Sequence, residues 1–505
     1  YRVFRCCRWR RAAYPSVCRS ETVRYLSMLR LLGMMLMLYS LTFLPPVGVS
    51  LFYADGQAIV FLTGILLVLL TGLICWLPAM RHRRDLRTRD GFLIVVMFWT
   101  VLGLAGALPL ALSEEPVMSV TDAVFESLSG LTTTGATVLT GLDDLPPSIL
   151  YYRQQLQWLG GMGIIVLAVA VMPMLGVGGM QLYRAETPGP LKDSKLTPRI
   201  TETAKALWYI YLGLTLACTL CYWLAGMSPF DAVGHAFSTV AIGGFSTHDL
   251  SIGYFESATI EMVAVVFMLL AGMNFALHFT SWRTLSLRPY LHDSELRAYL
   301  GVLFILTTIT VAYLYYTDTF IFISDAMHHG LFQAVSIGTT TGFTTAEYFA
   351  WPGFLPVLLL FASFIGGCAG STGGGMKVIR FVLLIKQGRR EIMRLVHPNA
   401  QILVKVGQKT MPDRIMNAVW GFCAAYVGGF VIIMLFLMAT GLDQVTAFSA
   451  VAACMNNLGP GLEGVGANYV NINAPAKWAL CFAMLLGRLE VFTLMILFTP
   501  AFWRR

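Results

Sequence analysis

Apolar runs of about 20 residues recur along the chain, separated by short polar or basic segments. A run of this length is what an α-helix needs to cross the hydrocarbon core of a bilayer. The runs lie at 31–52, 58–78, 92–112, 205–227, 257–281, 298–316 and 415–439. Because no soluble domain of useful size remains between them, the pattern predicts an all-α polytopic membrane protein.

The distribution of charge strengthens this interpretation. Of the 505 residues, 57% are hydrophobic and 12% are charged, about half the charged fraction of a soluble domain. The net charge is +8, which would be compatible with nucleic-acid binding if the basic residues were spread over one soluble surface. Nearly all Lys and Arg residues instead fall into clusters between or outside the apolar runs. The clusters occupy 1–30, 81–90, 177–205, 281–298, 377–414 and the last two residues.

With an even number of crossings between successive clusters, all of them share one face of the membrane. The positive-inside rule makes that face cytoplasmic, so both termini are predicted to be cytoplasmic. The charge therefore indicates a membrane topology and no nucleic-acid partner.

Four short segments are too polar and too rich in glycine to continue the apolar helices that flank them. They are TTTGAT (132–137), AIGGFST (241–247), GTTTGFTT (338–345) and NNLGPGL (456–462). Aligned on one glycine each, they recur roughly every hundred residues, which is the mark of an internal repeat. The aligned glycines are Gly135, Gly244, Gly342 and Gly459.

Each repeat has the same order: an apolar helix, a short amphipathic stretch, the glycine segment and a second apolar helix. Each amphipathic stretch begins near an aspartate, namely Asp122, Asp231, Asp325 or Asp443. Because Asp is a favourable N-cap, each is predicted to start a short pore helix that enters the membrane partway. The partially negative C-terminal ends of the four pore helices would then converge.

Polar, non-helical backbone at membrane depth is tolerated only where it is buried in protein or lines a water-filled path. For one segment alone, a re-entrant turn or helix break would suffice. Four segments around an axis favour a pore in which carbonyl oxygens replace the hydration shell of a monovalent cation. The predicted carbonyls belong to Thr133, Thr134, Ile242, Gly243, Thr340, Thr341, Asn457 and Leu458.

At these segments the sequence resembles the Trk/Ktr/HKT superfamily of potassium transporters, and most closely the membrane subunits of bacterial Trk systems. The resemblance extends over 28–505. It is carried by QWLGGMGIIVLAVAVMPMLGVGGMQLYRAETPGPLKD (157–193), IGGFSTHDLSIGYF (242–255), FIGGCAGSTGGGMKVIR (364–380) and LLGRLEVFTLMILFTPAFWRR (485–505).

The resemblance implies potassium uptake across the bacterial inner membrane by four pore-forming units within one chain. It also implies two extra N-terminal helices, a homodimer in the lipid membrane, and a cytosolic nucleotide-binding regulatory subunit that docks on the basic face. Potassium is the transported ion, and no organic cofactor is expected in this chain. The fourth segment, NNLGPGL, departs most from the threonine-rich pattern, so sharp selectivity against sodium is not assumed.

The chain divides accordingly. Residues 1–27 are interpreted as a basic extension without a function, 28–90 as two additional transmembrane helices, and the remainder as four pore repeats. The repeats are assigned to 91–190, 191–285, 286–400 and 401–505.

A glycine run, GGCAGSTGGG at 366–375, interrupts what would otherwise be one helix from about 354 to 385. Glycine disfavours helix by roughly 1 kcal/mol relative to Ala, so a break inside the membrane is predicted. The run fails the P-loop pattern, because Met376 precedes Lys377. Two interpretations of the run remain: a close-packing kink, or a segment that obstructs the pore. The resemblance favours the second, with the run acting as a gate under the filter. The predicted gate residues are Gly366, Gly367, Gly370, Ser371, Thr372, Gly373, Gly374, Gly375 and Arg488.

Arg488 is the one basic residue that falls well inside a predicted apolar helix. A charge there costs on the order of 3 kcal/mol, so the side chain should face a cavity or a partner. It is interpreted as an electrostatic part of the gate, or alternatively as an anchor to carbonyls of the glycine run. Arg153 and Lys477 are predicted to be interfacial.

Other candidate chemistry is weak. His328 and His329 are adjacent on a helix, where neighbouring side chains diverge, so a chelating pair is not expected. His235 is interpreted as a packed residue of its pore helix. A transporter and not an enzyme is predicted. Coupling of potassium to proton or sodium entry stays open, and a polytopic membrane enzyme is a remote alternative because no acid, base, nucleophile or metal ligands converge in the pattern.

Overall fold

The computed structural model of the chain describes residues 15–81, 88–163, 200–407 and 409–504. Within these ranges the chain is a bundle of helices, as the apolar runs predict. Six helices are long and apolar enough to cross a membrane, and two bent helix pairs raise the number to eight if each pair is one span.

Three helices at the N-terminal end precede the repeats and pack on the first of them, where Phe43 contacts Tyr152. They are α1 (Pro15–Ser40), α2 (Leu44–Tyr53) and α3 (Ala58–Trp76). Helix α1 includes part of the segment interpreted as an extension. It packs closely on α3, because a Cβ atom added to Gly33 would lie 2.6 Å from the carbonyl oxygen of Gly72. Small residues allow such close approach between membrane helices.

Four successive groups of helices follow, each with a long helix, a short pore helix and a third helix. The long helices are α4 (Thr88–Leu112), α7 (Ile200–Leu224), α12 (Ser294–Tyr316) and α16 (Asp413–Ala439). The pore helices are α5 (Val120–Leu131), α8 (Pro229–Ala241), α13 (Ile323–Thr339) and α17 (Gln444–Asn456). The helices that come third in each group are α6 (Pro147–Trp158), α9 (Ala258–Ala271), α14 (Leu355–Ile365) and α18 (Ala474–Arg488).

Shorter elements complete the described chain. Additional helices are α10 (Phe275–Thr284), α11 (Arg288–His292), α15 (Val378–Val396), α19 (Phe492–Met495) and α20 (Pro500–Trp503). A π-helical turn spans Leu159–Gly163, and an antiparallel hairpin pairs β1 (Lys405–Val406) with β2 (Lys409–Thr410). Single 3₁₀ turns lie at Leu41–Phe43, Leu77–Ala79, Leu142–Asp144, Ser251–Phe255, Tyr348–Ala350, Glu463–Val465 and Ile496–Phe498.

The N-caps of the pore helices differ from the prediction in three of four cases. Only Asp443 caps its helix, by accepting from the backbone N–H of Thr446. In the first two repeats Ser119 and Ser228 are the caps, and the aspartate three residues later accepts a hydrogen bond from the serine hydroxyl at 2.7 Å. The serine and the aspartate therefore bond to each other, through the serine hydroxyl and the aspartate backbone N–H and carboxylate. The third pore helix has Phe322 at its N-cap and no side-chain cap.

Two of the helices that come third in their groups, α9 and α18, are followed by a sharp bend. The run 257–281, predicted as a single helix, breaks between α9 and α10 with an angle of 92°. Helices α18 and α19 are bent by 109°. Helix α14 ends at Ile365 and α15 begins at Val378, so the break predicted at the glycine run is confirmed and continues through Lys377.

Candidate functional site

Each pore helix ends in the same backbone turn. The residue two positions before the aligned glycine has a left-handed conformation, with φ of 57° at Thr133, 55° at Ile242, 71° at Thr340 and 55° at Asn457. Such angles are rare for β-branched residues. Their recurrence at three β-branched positions indicates that the surrounding structure imposes the turn.

One hydrogen bond repeats in all four turns. The backbone N–H of the residue before the glycine donates to the carbonyl oxygen five residues earlier, at 2.8 Å in every case. The pairs are Thr134 with Ser129, Gly243 with Ser238, Thr341 with Ser336, and Leu458 with Ala453. The four glycine segments therefore leave their pore helices in the same way.

The four aligned glycines lie against one another in a closed ring. Each faces the carbonyl oxygen of the residue that precedes the glycine of the next repeat, and the fourth faces the first. A Cβ atom added to Gly135 would lie 2.1 Å from the carbonyl oxygen of Gly243, and one added to Gly244 would lie 2.0 Å from that of Thr341. A Cβ atom added to Gly342 would lie 2.1 Å from the carbonyl oxygen of Leu458, and one added to Gly459 would lie 2.7 Å from that of Thr134. Glycine is thus required at these positions by close approach as well as by positive φ.

The ring is similar in its backbone but not in its side chains. The carbonyl oxygen of Gly243 accepts a hydrogen bond from Gln157 Nε2 at 2.6 Å, and Gln157 Oε1 accepts from the N–H of Phe245 at 3.0 Å. In the fourth segment, Asn457 Nδ2 donates to Thr134 Oγ1 at 2.9 Å. A glutamine of α6 therefore holds a carbonyl of the second segment, and an amide of the fourth segment is tied to a threonine hydroxyl of the first.

A buried ion pair lies behind the first two segments. Arg153 Nε is 2.7 Å from Glu126 Oε1, with side chains 1% and 0% exposed. Arg153 also donates to Thr137 Oγ1 at 3.0 Å and to the carbonyl of Ser246 at 3.3 Å, and Glu126 accepts from the N–H of Val138 at 2.9 Å. The interfacial position predicted for Arg153 is wrong, because its partner lies 27 residues earlier on the neighbouring helix.

Lys477 is also buried, contrary to the prediction of an interfacial side chain. Its Nζ lies 2.6 Å from Asp122 Oδ1. The pair joins the start of the first pore helix to the start of α18 in the fourth group. It therefore connects the first and last repeats around the ring.

The glycine run lies directly beneath the C-terminal ends of three pore helices. Thr372 Oγ1 donates to Val240 O at 2.9 Å, Gly374 N to Thr340 Oγ1 at 2.7 Å, and Gly375 N to Asn456 O at 3.0 Å. Because pore-helix ends carry partial negative charge, backbone and hydroxyl donors are favourable there. Residues 366–375 thus form a layer that packs against the ring. We call these residues the subring loop.

The conformation of the subring loop depends on its glycines. Gly366, Gly370 and Gly375 have φ of 67°, 76° and 70°. The hydroxyl of Ser371 donates to the carbonyl of Cys368 at 2.7 Å, so it satisfies a backbone group of the loop itself. Close approach also selects glycine at two further positions. A Cβ atom added to Gly367 would lie 2.7 Å from Ser371 Oγ, and one added to Gly373 would lie 3.1 Å from Thr339 O.

Arg488 contacts Thr133, just after the end of the first pore helix, and the subring loop together. It donates to Thr133 Oγ1 at 3.1 Å, to Thr372 O at 3.3 Å and to Gly161 O at 2.9 Å, and it also donates to Gly160 O. The expectation that Arg488 falls well inside its helix is wrong, since Arg488 is the last residue of α18. The side chain is therefore held by carbonyls, as the anchor interpretation predicts, at a position directly below the ring.

His235 is fully buried in the second pore helix. Its Nδ1 lies 2.9 Å from the carbonyl of Asp231 and its Nε2 lies 2.9 Å from Ser246 Oγ. Both ring nitrogens are thus used in packing, in agreement with the prediction for this residue. Residues 164–193 of the family-like stretch, and residues 1–14 of the N-terminal extension, lie outside the described residues.

Comparisons with known proteins agree with this architecture. Residues 57–505 match the family described as TrkH, cation transport protein. The chain is 57% identical to the Trk system potassium uptake protein TrkH of Vibrio parahaemolyticus over 95% of this chain and 100% of the relative. It is 55% identical to TrkH of Escherichia coli K12, over 94% of this chain and 98% of the relative.

The similarity extends to a paralogue and to a solved structure. The Trk system potassium uptake protein TrkG of E. coli K12 is 44% identical over 94% of this chain and 97% of the relative. The crystal structure of the potassium transporter TrkH from V. parahaemolyticus superimposes with a TM-score of 0.87 at 55% identity, over 95% of this chain and all of that chain. The chain is a transmembrane protein that belongs to the TrkH family of cation transport proteins, which confirms the resemblance read from its glycine segments.

Proposed function

We propose that this chain conducts potassium into the cell across the bacterial inner membrane through the ring of four glycine segments. The observation that carries the proposal is the closure of the ring, in which every glycine faces a carbonyl oxygen of the next repeat. The names of the similar proteins, which are potassium uptake proteins, support the choice of ion.

The filter carbonyls in this proposal belong to the two residues before each glycine. A monovalent cation that enters the ring exchanges part of its water shell for these oxygens. No titratable group is needed for this exchange. The membrane potential then supplies about 2.3 kcal/mol per charge for each 100 mV.

The subring loop and Arg488 form the gate in this proposal. Together they contact the C-terminal ends of all four pore helices, so an ion leaving the ring meets the loop next. Arg488 adds a positive charge that repels the ion, and its hydrogen bond to Thr372 O ties that charge to the loop. Opening therefore requires the loop and the arginine to move together.

The remaining parts of the proposal follow from the resemblance and the charge pattern. The basic segments face the cytoplasm, where a cytosolic nucleotide-binding regulatory subunit docks and controls the gate. The chain forms a homodimer, and both termini are cytoplasmic. The mean hydropathy of +0.69 fits a chain surrounded largely by lipid.

The filter is tested by potassium and sodium flux into proteoliposomes that contain this chain alone. In Gly135→Ser the new side chain meets the Gly243 carbonyl, so the preference for potassium over sodium should fall by about tenfold or more, equivalent to ~1.4 kcal/mol. Gly141→Ser is the matched control, because Gly141 also has positive φ, 68°, but has no atom within 4 Å of an added Cβ. An equal loss of selectivity in both variants, or none in either, would reject the filter assignment.

The gate is tested with Arg488→Ala and with Arg283→Ala as an exposed control. If Arg488 closes the path, its removal raises basal potassium flux while the protein stays folded in detergent. Deletion of part of 366–375 should raise flux in the same way. Folded variants with unchanged flux would leave the loop as a packing kink and Arg488 as an anchor.

A further inference from the structure

A cluster of three potential metal ligands lies outside the ring and the subring loop. Glu261 is in the first turn of α9, and His328 and His329 are in the second turn of the third pore helix, α13. One oxygen of Glu261 and one ring nitrogen of each histidine all lie within 4.8 Å of one another. Among the described residues, this is the group of His, Cys, Asp and Glu side chains close enough to share an ion.

The adjacent histidines were not expected to chelate, because neighbouring side chains on a helix point apart. The structure resolves this by supplying the third ligand from another repeat. Glu261 approaches the pore helix from α9, and the two imidazole rings reach it with their centroids 5.3 Å apart and their planes inclined at 54°. Convergence therefore comes from the contact between α9 and α13.

Two polar atoms of the cluster, Glu261 Oε2 and His328 Nε2, lack ordinary partners. Glu261 is 4% exposed, and its Oε2 lies 3.2 Å from His328 Nε2. Within the part of the chain that the structure describes, neither atom has a hydrogen-bond partner of acceptable geometry. A buried carboxylate oxygen without a partner is costly, and a cation held between the two atoms would remove that cost.

The orientation of His329 is set from outside the cluster. Its Nδ1 lies 3.0 Å from Thr345 Oγ1, and its ring stacks on Phe320 with centroids 5.1 Å apart. Metal-binding histidines are typically held through the other ring nitrogen in this manner. Thr345 lies three residues after the ring glycine Gly342, so the cluster is attached to the third filter segment.

We propose that Glu261, His328 and His329 bind a divalent transition-metal cation of the Zn²⁺ class. Two imidazole nitrogens and one carboxylate oxygen are ligands that suit Zn²⁺ and similar ions, whereas potassium and magnesium prefer oxygen alone. Ligands of a tetrahedral zinc lie about 3.3 Å apart, and the Glu261 to His328 separation of 3.2 Å already matches this spacing. The remaining ligand reaches it by a small movement of the His329 ring.

Such an ion would fasten two repeats together. Helix α9 carries Glu261 at one end, and at the other end the carbonyl of Gly272 accepts from Cys368 N of the subring loop at 2.9 Å. The metal would hold the first end of this helix to the pore helix of the next repeat. This inference concerns binding and does not depend on the proposed conduction of potassium.

The test uses the full chain in detergent, stripped of metal with EDTA and titrated with Zn²⁺ by calorimetry. Saturable binding of one ion per chain is expected, with a rise in the apparent melting temperature. Glu261→Gln and His328→Ala should each weaken Zn²⁺ binding by about 100-fold or more. His397→Ala, at an exposed histidine, is the control and should bind as the wild type does.

A second measurement keeps the test independent of how well the variants fold. Co²⁺ bound by wild-type chain through two nitrogens and an oxygen gives visible d–d absorption, which should titrate with the same stoichiometry and disappear on addition of Zn²⁺. Zn²⁺ isotherms that are the same in Glu261→Gln and His328→Ala as in the wild type would overturn the proposal. So would the absence of the Co²⁺ absorption in the wild-type protein.

Discussion

The buried pair of Glu126 and Arg153 should stabilise the fold and hold the ring at once. The perturbation is Glu126→Gln, which keeps the size of the side chain and removes its charge. Arg153, 1% exposed, is then left as a buried cation without its counter-ion. Breaking a buried ion pair in this way costs about 3–5 kcal/mol.

The size of the effect can be refined from the contacts. Glu126 accepts from Arg153 Nε, from the N–H of Val138 at 2.9 Å and from Thr137 Oγ1 at 3.0 Å. A glutamine can keep one of the two neutral hydrogen bonds through its carbonyl oxygen. The loss is therefore dominated by the charge on Arg153, and the upper half of that range is expected.

The assay is the free energy of unfolding in mixed micelles, measured for Glu126→Gln, Arg153→Gln and the double variant. Removing both charges leaves no buried unpaired ion, so the double variant should be more stable than the sum of the single losses predicts, by about 1–3 kcal/mol. The potassium to sodium flux ratio should fall in the single variants, because Arg153 also holds Ser246 just after the ring glycine Gly244.

Additive losses would refute this reasoning. So would a change of under about 1 kcal/mol in Glu126→Gln, which is the range of an exposed pair. A stable Glu126→Gln variant with a lowered flux ratio would keep the role in the ring and reject the role in stability.

Three further predictions concern the surroundings of the ring. Gly374→Ala should dislodge the subring loop and raise basal potassium flux severalfold, because the added Cβ would lie 2.0 Å from Asn456 O. Gly388→Ala is the control, since its Cβ meets no atom within 4 Å and flux should not rise. Equal flux in the two variants would contradict this prediction. Asp122→Asn should lower the free energy of unfolding by about 1–3 kcal/mol, because the Lys477 side chain is 8% exposed and loses the carboxylate that it pairs with. An unchanged free energy in chemical denaturation would show that the pair is screened. Partial burial disfavours protonation of His248, but the carboxylate of Asp231, 3.5 Å from its Nε2, and its contact with Asp143 outweigh this and raise its pKa above 6.5. Protonated His248 therefore stabilises the fold fully below pH 6.5, and this contribution is lost as pH rises through the raised pKa. His248→Gln should flatten that part of the profile of melting temperature against pH. A profile identical to that of the wild type would exclude His248 as its source.

The elements that the sequence predicted well are those that depend on backbone conformation. The four glycine segments were found because only glycine tolerates both positive φ and a neighbouring carbonyl at contact distance. The break at 366–375 was found because six glycines in ten residues disfavour a helix. The backbone constraints act within a few residues and are visible in one sequence, whereas the carbonyl that each ring glycine faces comes from another repeat.

Two features of the helix ends carried signals that were interpreted incorrectly or not at all. Ser119 and Ser228 lie three residues before an aspartate, a spacing typical of a capping box, yet the aspartates were taken as the caps. Helix α18 has Gly487 as its second-to-last residue, a helix-disfavouring signal that was not used. Beyond the helix end, the chain turns through Glu490 and Val491, two non-glycine residues with φ of 53° and 46°.

Long-range pairs were the features that the sequence could not supply. The burial of Arg153 depends on Glu126, and that of Lys477 depends on Asp122, which is 355 residues away along the chain. A charged residue near a helix start looks interfacial until its partner is known. The same limit applies to His328 and His329, whose acidic neighbour Glu261 comes from another repeat.

The layer beneath the ring explains why four repeats in one chain need to differ. The ring itself is nearly fourfold in its backbone, with the same turn and the same 2.8 Å hydrogen bond in every repeat. Below it, one loop and one arginine contact all four pore-helix ends. Four identical repeats would place four loops and four arginines at the same axis, where like charges repel and the space admits one loop. Divergence of the repeats thus permits a single loop beneath a ring of nearly fourfold backbone, contacted by Arg488 and by Lys377, whose Nζ donates to Gly373 O.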